Sequence, residues 1–299
     1  MQHFITKVFN KLFTADKWNI GYVYQSVESL IAQKQLNADI KWFKEDTVDY
    51  AADPFVVDVA GKTRVYYEEL NFWKGKGELM MVDDLSFGNK KKVTGIIPEA
   101  IHLSYPYMIN TVHGLYCIPE TSEAMEVALY KVDVESPEKL VKKKVLLKGK
   151  AFVDSSIIFF QNKYWLFTSV PGENTHLYVY HSDTLDGDYK GHQLNPIRVK
   201  KEHCRAAGKL FMFQSELYRA TQNPTHKYGG SIIINKIELL NESSFHASPL
   251  FEIMPHKKYS EGLHNISFTE TMIVVDGKRK VISPFMPFKK LIRKIKQNT

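Results

Sequence analysis

The feature that most constrains this chain is an internal repeat of about 50 residues. Each unit opens with a short polar signature, continues into an apolar strand, turns, and returns on an aromatic-rich strand. The units open at Asp53, Ser104, Asp154, Arg205 and His264. The intervals are 51, 50, 51 and 59 residues, so the register is nearly constant until the last unit. Periods of this length are typical of solenoids and propellers.

The strand content of one repeat predicts an all-β, five-bladed β-propeller. Further strand-like runs lie between the paired strands, at 79–82, 128–132 and 177–180, and four strands in about 50 residues make one propeller blade. The run Trp18–Tyr24 precedes the first unit and is predicted to pair with the last blade, because closing the ring hides two sheet edges. A two-sheet β-sandwich is the rival architecture, but it would not require five openings in register.

The two ends of the chain differ from the propeller, so we predict an N-terminal amphipathic segment at 1–17, the propeller at 18–287 and a basic C-terminal tail at 288–299. Apolar residues recur at helical spacing near the start; they are Phe4, Ile5, Val8, Phe9, Leu12 and Phe13. Lys7 and Lys11 lie on the other side of that helix. Such basic amphipathic helices can lie on an anionic membrane surface. The alternative is a helix that caps the propeller and a tail that is solvated.

The sequence predicts a cytoplasmic protein, peripheral to the inner face of the membrane if its basic ends contact lipid. No signal peptide and no stretch of about 20 apolar residues is seen. The body of the chain has no basic stripe interleaved with aromatic residues, so no nucleic-acid partner is predicted despite the net charge of +7. Cys117 and Cys204 are too few for a disulfide framework or a zinc site, and we predict neither a metal nor a cofactor.

The repeat brings distant polar residues together, because the innermost strands of a propeller line its axis. The openings place five side chains there, which are Asp53, Tyr105, Asp154, Arg205 and His264. The return strands end with a second set, which is Glu68, Glu69, Glu120, Arg219 and Gln222. Aspartate and proline also cap turns, but several charges buried round one channel without partners would be costly. We therefore predict a polar pocket at the axis.

Several short motifs resemble the N-terminal domain of glucosamine inositolphosphorylceramide transferases. They are Ala52-Asp53-Pro54-Phe55, His102-Leu103-Ser104-Tyr105-Pro106-Tyr107, Ile118-Pro119-Glu120, Asp154-Ser155-Ser156-Ile157, Trp165-Leu166-Phe167, Tyr218-Arg219-Ala220-Thr221-Gln222 and Gly262-Leu263-His264. The resemblance extends from about Trp18 to Gly277. In the plant proteins this domain is joined to a separate glycosyltransferase domain, which these residues do not contain. The resemblance implies a carbohydrate-related propeller, and the plant activity does not follow from it.

More distantly, the pattern is similar to five-bladed glycoside hydrolases of the arabinanase and β-xylosidase type. Those enzymes use an aspartate base in the first blade, a second aspartate that tunes a pKa, and a glutamic acid that donates a proton. The resemblance implies that Asp53 is the base and Asp154 the tuning residue. Arg205 stands at the opening where the glutamic acid would be. Inverting hydrolysis needs a protonated acid opposite the base, so Glu120 or Glu69 would have to supply it.

An arginine at this opening suggests a site for an anion, because a guanidinium binds phosphate or carboxylate with two nitrogen atoms. With Arg219 and His264 nearby, Arg205 could hold the phosphate of an activated sugar. The alternative is that Arg205 forms a structural ion pair with Asp53 or Asp154.

Two functional hypotheses follow. The first is a carbohydrate-active enzyme of glycan biosynthesis that transfers or cleaves a glycosyl unit of a sugar or activated sugar. Its predicted catalytic residues are Asp53, Asp154, Glu120 and Glu69. Its predicted substrate-binding residues are Tyr105, Tyr107, His102, Arg205, Arg219, Gln222 and His264. The two tyrosine rings are predicted to stack on a sugar. The second hypothesis is a non-catalytic sugar-binding or assembly module that serves a separate glycosyltransferase partner at the membrane.

Overall fold

The computed structural model describes residues 12–45, 49–59, 61–86 and 88–297. Its strands form five antiparallel sheets, and four of them are built from consecutive strands. The first blade contains β3 (Tyr50–Val59), β4 (Lys62–Leu70), β5 (Gly77–Val82) and β6 (Lys91–Lys92). The second contains β7 (Ser104–Thr111), β8 (Gly114–Glu120), β9 (Glu126–Val132) and β10 (Leu140–Lys148).

The third blade contains β11 (Val153–Phe160), β12 (Lys163–Ser169), β13 (His176–Ser182), β14 (Lys190–Gly191) and β15 (Ile197–Arg198). The fourth contains β16 (Phe211–Phe213), β17 (Glu216–Asn223), β18 (Ser231–Leu240) and β19 (Phe245–Ile253). The fifth takes β20 (Ile266–Phe268) and β21 (Met272–Ile282) from the end of the chain and β1 (Thr14–Tyr24) and β2 (Lys41–Trp42) from its start. Within the described residues two α-helices accompany the sheets, α1 (Val27–Gln33) and α2 (Met286–Gln297).

The sheets follow one another in a ring. The inner strand β3 contacts β7 of the next blade and β20 of the last one, and Gly208 in the fourth blade bridges Ile266 in the fifth. The predicted five-bladed propeller is therefore confirmed, and the β-sandwich alternative is wrong. Apolar side chains from neighbouring blades pack between them; Phe55, for example, meets Tyr105 of the next blade with ring centroids 4.9 Å apart.

The ring closes as predicted, through β1. This strand pairs with β21 along its whole length, from Thr14 opposite Ile282 to Tyr24 opposite Met272. The predicted strand began at Trp18, but the observed strand begins four residues earlier because β21 is long enough to pair with residues 14–17. The predicted amphipathic segment at 1–17 therefore ends in a strand.

A β-bulge recurs where the inner strand begins in each of the first three blades. In the first blade the pairing register shifts between Ala52 and Phe55, and equivalent shifts occur in the second and third. One residue at each bulge has left-handed backbone: Asp53 with φ 52°, Tyr105 with φ 43° and Asp154 with φ 50°. A bulge turns a side chain away from the direction that strand alternation gives it. These bulges decide which opening residues face the axis.

The two chain ends bear on the predicted membrane segments. Phe4, Ile5, Lys7, Val8, Phe9 and Lys11, which carry the predicted N-terminal helix, lie outside the described residues. The described part of the predicted basic tail, 288–297, belongs to the helix α2, which begins at Met286. Within the described parts of the chain, no helix has the length and apolar character needed to cross a bilayer.

Candidate functional site

A cavity of about 510 Å³ lies at the axis, where residues of the first, second, fourth and fifth blades meet. Several predicted site residues line it, which are Asp53, Glu120, His102, Arg205 and His264. Glu68 and Ser104 also line it, as do Thr14 of β1 and Lys290 of α2. The cavity is therefore strongly polar and holds several ionisable side chains.

Arg205 and Asp154 form an ion pair between the fourth and third blades. Arg205 donates from Nε to Asp154 Oδ2 and from Nη2 to Asp154 Oδ1, the second at 3.4 Å. Asp154 is buried and also accepts from Gln222 Nε2 at 3.4 Å, while the Arg205 side chain is 38% exposed and faces the cavity. The predicted alternative of an Asp154–Arg205 pair is thus observed. The pair fixes the guanidinium at the cavity wall.

Asp276 organises the opposite wall of the cavity from full burial. Its Oδ1 accepts the backbone N–H groups of His264 and Asn265 at 2.9 and 3.0 Å. Its Oδ2 accepts the backbone N–H of Asp53 at 3.2 Å and lies 2.5 Å from His264 Nδ1. The other ring nitrogen of His264, Nε2, lies 3.9 Å from Asp53 Oδ1. His264 therefore bridges two carboxylates.

The His264 imidazole is also held from its faces. The Trp18 ring stacks on it with centroids 3.9 Å apart, and the Tyr228 ring meets it edge-on at 5.5 Å. Burial alone would lower the pKa of His264, but the neighbouring carboxylates of Asp276 and Asp53 raise it. The imidazole therefore favours its cationic form at this site.

The same three residues are the candidate metal ligands among the described residues. Asp53, His264 and Asp276 each offer one ligand atom within 4.8 Å of the others. Both oxygens of Asp276, however, already accept backbone N–H groups, and His264 Nδ1 pairs with one of them. This bonding favours an ion-pair network over a cation site.

Two carboxyl groups of the cavity are suited to proton transfer. Burial raises the pKa of Asp53 to about 7, although the charge of His264 opposes the rise. Burial raises the pKa of Glu120 to about 8, and the nearby Asp154 carboxylate adds to the rise. Glu120 is held by the backbone N–H of Asp154 and the hydroxyl of Ser122. One site therefore contains two carboxyl groups whose pKa values lie near neutrality, as general acid–base catalysis requires.

Glu68, and not Glu69, faces the cavity. The two residues are adjacent in β4, so their side chains point to opposite faces of the sheet. Glu68 Oε1 lies 3.4 Å from His102 Nε2, while His102 Nδ1 accepts the backbone N–H of Gly77. Glu69 instead pairs with Lys90 at 2.5 Å, and both line a separate, smaller cavity. The predicted catalytic use of Glu69 is wrong, because its carboxylate does not reach the pocket.

Tyr105 and Tyr107 also do not line the cavity. The Tyr105 hydroxyl accepts the backbone N–H of Gly208 at 2.9 Å and bonds to Ser156 at 3.0 Å. The Tyr107 hydroxyl donates to the Ile157 carbonyl at 2.8 Å. Both rings are buried between blades, because the bulge turns Ser104 towards the cavity and Tyr105 into the core. The predicted sugar-stacking role of these rings is therefore wrong.

Arg219 and Gln222 are buried and form hydrogen bonds that fix the backbone around Arg205. Arg219 is buried and donates to the carbonyl groups of His203 and Cys204, at 2.9 and 2.5 Å. It holds the turn that precedes Arg205. Gln222 contacts Asp154 and donates to the Ala206 carbonyl at 2.9 Å. Arg219 does not line the axial cavity, so its predicted contact with a ligand there is not observed.

A second cavity of about 340 Å³ adjoins the first. Arg205 and Tyr228 line both cavities, and the guanidinium carbon lies 5.4 Å from the Tyr228 ring centroid. Other polar residues of the second cavity are Ser169, Glu173, Asn174, Lys201 and Gln222. The arrangement offers two compartments that share one cationic wall.

Sequence reasoning did not single out several residues of this site, which are Asp276, Trp18, Tyr228 and Lys290. The repeat contained a signal for Asp276. Polar residues at the ends of the return strands recur at similar intervals, at Glu68, Glu120, Ser169, Gln222 and Asp276. Tyr228 and Lys290 lie outside the repeated motifs, so their positions depend on the folded chain.

The chain is similar to known plant proteins over most of its length. The family model "Glucosamine inositolphosphorylceramide transferase 1, N-terminal" matches residues 38–264. The glucosamine inositolphosphorylceramide transferase 1 of Oryza sativa subsp. japonica is 29% identical over 210 residues, which are 68% of this chain and 28% of that protein. The Arabidopsis thaliana protein of the same name is 30% identical over 205 residues, 66% of this chain and 26% of that protein. The match thus spans about a quarter of these relatives.

Solved glycoside hydrolases share the fold. The catalytic domain of the GH62 α-L-arabinofuranosidase of Coprinopsis cinerea superposes with a TM-score of 0.55 at 12% identity, over 80% of this chain and 95% of that one. A family 117 glycoside hydrolase of Zobellia galactanivorans gives 0.53 at 12% identity, over 92% and 94%. These structures establish the propeller fold of the chain and nothing of its chemistry.

Proposed function

This chain belongs to the family of the N-terminal domain of glucosamine inositolphosphorylceramide transferase 1, and we propose that its axial pocket binds a phosphate-bearing carbohydrate and transfers or cleaves its glycosyl unit. One observation carries the proposal: Asp53 and Glu120, two buried carboxyl groups with raised pKa, line one cavity together with the guanidinium of Arg205. Paired carboxyl groups are the usual machinery of glycosidic bond chemistry.

The proposed proton transfers follow from the two pKa values. Asp53, with a pKa of about 7, is about half ionised at pH 7 and mostly a carboxylate above it. It would accept the proton of the attacking hydroxyl group as the new bond to the anomeric carbon forms. Glu120, with a pKa of about 8, keeps its proton at neutral pH and would give it to the leaving oxygen as the old bond breaks. The two groups then exchange their protons with solvent.

Arg205 distinguishes this pocket from that of a simple hydrolase. Its guanidinium, oriented by Asp154, lies in the wall shared by the two cavities. A phosphate bound there would receive charge-assisted hydrogen bonds. A phosphate also leaves readily, which reduces the need for an acid. We propose that the two compartments hold donor and acceptor on either side of this guanidinium, as glycan biosynthesis would require.

A second candidate function is a non-catalytic sugar-binding or assembly module. The Asp154–Arg205 ion pair favours it, because part of the charge at the axis is neutralised within the protein. Such a module would serve a separate glycosyltransferase. That partner and the cytoplasmic location stay predictions.

The first test is ligand binding measured by calorimetry and thermal shift. The ligands are nucleotide sugars, sugar phosphates and neutral oligosaccharides, and the proteins are wild type, Arg205→Ala and the matched surface variant Arg279→Ala. We expect a phosphorylated ligand to bind, with affinity reduced by about 10-fold or more in Arg205→Ala and unchanged in Arg279→Ala. No binding by any ligand, or equal binding by all three proteins, would contradict the proposed pocket.

A turnover assay separates the two candidate functions. Asp53→Asn keeps the shape of the side chain but cannot act as a base. We expect it to bind the ligand found above and to lose product formation by a factor of about 10² or more. Binding without turnover in the wild type would favour the non-catalytic module.

A further inference from the structure

The helix α2 is mounted on the propeller through its polar side. Lys289 Nζ lies 2.6 Å from Asp49 Oδ1, and Lys290 Nζ donates to the Thr14 carbonyl at 2.6 Å. Met286, at the start of the helix, is buried against Leu70 and Phe72. The contacts that fix the helix therefore use its lysines and its first residue.

The apolar side of the helix faces away from the protein. Phe288, Leu291 and Ile295, together with Phe285 just before the helix, are between 56% and 63% exposed. Residues three and four apart lie on one side of a helix, so these side chains form a continuous stripe. A surface helix of a globular protein normally turns such a stripe towards the core. Here the orientation is reversed.

Two exposed apolar residues on adjoining backbone segments extend the stripe. Ile282 at the end of β21 is 69% exposed, and Leu12 is 44% exposed. The two segments are joined by a hydrogen bond from the Ser283 N–H to the Phe13 carbonyl at 2.9 Å. We call the set Leu12, Ile282, Phe285, Phe288, Leu291 and Ile295 the apolar ridge. Contiguous exposed apolar surface of this kind marks an interaction site.

The charge of the helix identifies the partner. Between Met286 and Gln297 the sequence contains Lys289, Lys290, Arg293, Lys294 and Lys296 and no acidic residue. Lys289 and Lys290 are held by the propeller, whereas Lys294 is exposed. Apolar side chains flanked by lysine and arginine suit the interface of a bilayer that contains anionic lipid, where the apolar side enters the acyl boundary and the cations meet headgroups. We propose that α2 and the apolar ridge dock this protein onto an anionic lipid surface.

The docking surface adjoins the axial cavity. Lys290 of α2 donates to the Thr14 carbonyl, and both residues line that cavity. Docking would therefore hold the axial cavity close to the lipid surface. The docking proposal itself rests on α2 and the apolar ridge and needs no pocket ligand. Its failure would leave the proposed function of the pocket untouched.

Vesicle sedimentation with the full chain tests the proposal. The vesicles are phosphatidylcholine alone or with about 30 mol% phosphatidylglycerol. We expect binding to the anionic vesicles, weak binding to neutral ones, and loss of binding as NaCl rises from about 50 to about 500 mM, because salt screens surface charge. The triple variant Phe285→Ser, Phe288→Ser, Leu291→Ser is expected to bind at least about 10-fold more weakly. Lys294→Glu is expected to weaken binding to anionic vesicles only.

A matched control replaces three exposed apolar residues elsewhere on the propeller with serine, in the variant Val112→Ser, Phe159→Ser, Leu239→Ser. This control is expected to bind like wild type, and circular dichroism is expected to show all variants folded. Equal binding by wild type and the ridge variant would overturn the proposal, as would no binding to anionic vesicles. If sedimentation equilibrium shows a dimer that only the ridge variant loses, the ridge is a protein interface and the proposal is wrong.

Discussion

The carboxylate of Asp154 holds the guanidinium of Arg205 across the gap between the third and fourth blades. Both residues open a repeat, so the same structural position supplies an anion in one blade and a cation in the next. Asp154 lies at a bulge with left-handed backbone, while Arg205 follows a turn that Arg219 holds through the carbonyl groups of residues 203 and 204. The backbone on both sides of the ion pair is therefore fixed by the protein itself, without a ligand.

Breaking this pair is expected to destabilise the protein. Arg205→Met leaves the buried Asp154 carboxylate without its cation, which we expect to lower the free energy of unfolding by about 1–3 kcal/mol. The partial exposure of Arg205 limits the loss. Adding Asp154→Asn to Arg205→Met is expected to recover most of it. Urea denaturation of the single and double variants measures the effect, and simply additive losses would show that the two residues do not interact.

Stability is expected to fall as pH rises from about 5 to about 8. In the unfolded chain the carboxyl groups of Asp53 and Glu120 ionise near their ordinary pKa of about 4, whereas in the folded protein they ionise near 7 and 8. The folded state therefore binds more protons in this range, and the free energy of unfolding declines with pH. The contribution of these two groups to stability is fully present below about pH 4. It is lost as the pH rises through their folded pKa values of about 7 and about 8.

Thermal unfolding across this pH range checks the effect. Asp53→Asn and Glu120→Gln are each expected to flatten the decline. The exposed carboxylate Asp183 provides the control, because its pKa is lowered by Lys163 and Asp183→Asn is expected to leave the slope unchanged. A wild-type slope that persists in both pocket variants would mean that other groups cause it.

Removing the Asp276 carboxylate is expected to be among the costly changes in this chain. Asp276→Ala leaves the buried backbone N–H groups of Asp53, His264 and Asn265 without their acceptor. We expect a loss of about 2–5 kcal/mol in the free energy of unfolding, because each unsatisfied buried donor costs about 1–3 kcal/mol. Asp188→Ala removes an exposed partner of Lys144 and is expected to change stability by about 0.5 kcal/mol or less. Urea denaturation of both variants distinguishes these outcomes.

Removing the Tyr105 hydroxyl is expected to affect stability and not ligand binding. Tyr105→Phe deprives the Gly208 N–H and Ser156 of a buried partner, at a cost of about 1–2 kcal/mol. Tyr24→Phe, on an exposed ring, is expected to be neutral. Ligand affinity measured by calorimetry is expected to be unchanged in both. A selective loss of ligand affinity in Tyr105→Phe would contradict this expectation and would support the predicted contact between Tyr105 and a sugar.

The repeat predicted the fold and part of the site because both depend on register. Openings about 50 residues apart placed Asp53, Arg205 and His264 at one cavity, with Asp154 directly behind Arg205. The closing strand was also predictable, since an unpaired edge strand before the first repeat has one natural place in a ring. These inferences needed only the period and the direction of the strands.

The remaining site residues depend on local geometry that a period does not determine. A bulge between Ser104 and Tyr107 moves Tyr105 from the cavity into the core. The choice between Glu68 and Glu69 depends on which face of β4 is turned to the axis, and one residue of slip reverses it. Tyr228 and Lys290 come from a loop and a terminal helix. Their approach to the cavity is a result of tertiary packing.

The closing strand also sets the order in which the propeller can be completed during synthesis. Among the described strands β1 leaves the ribosome first, yet its partner β21 is translated about 250 residues later. At about 5–20 residues per second, the edge of β1 waits about 12–50 s for its partner. During that time the first four blades can assemble, but the ring stays open. The earliest strand to be made is the last to be placed, and the interval is when this chain is most open to wrong strand pairing.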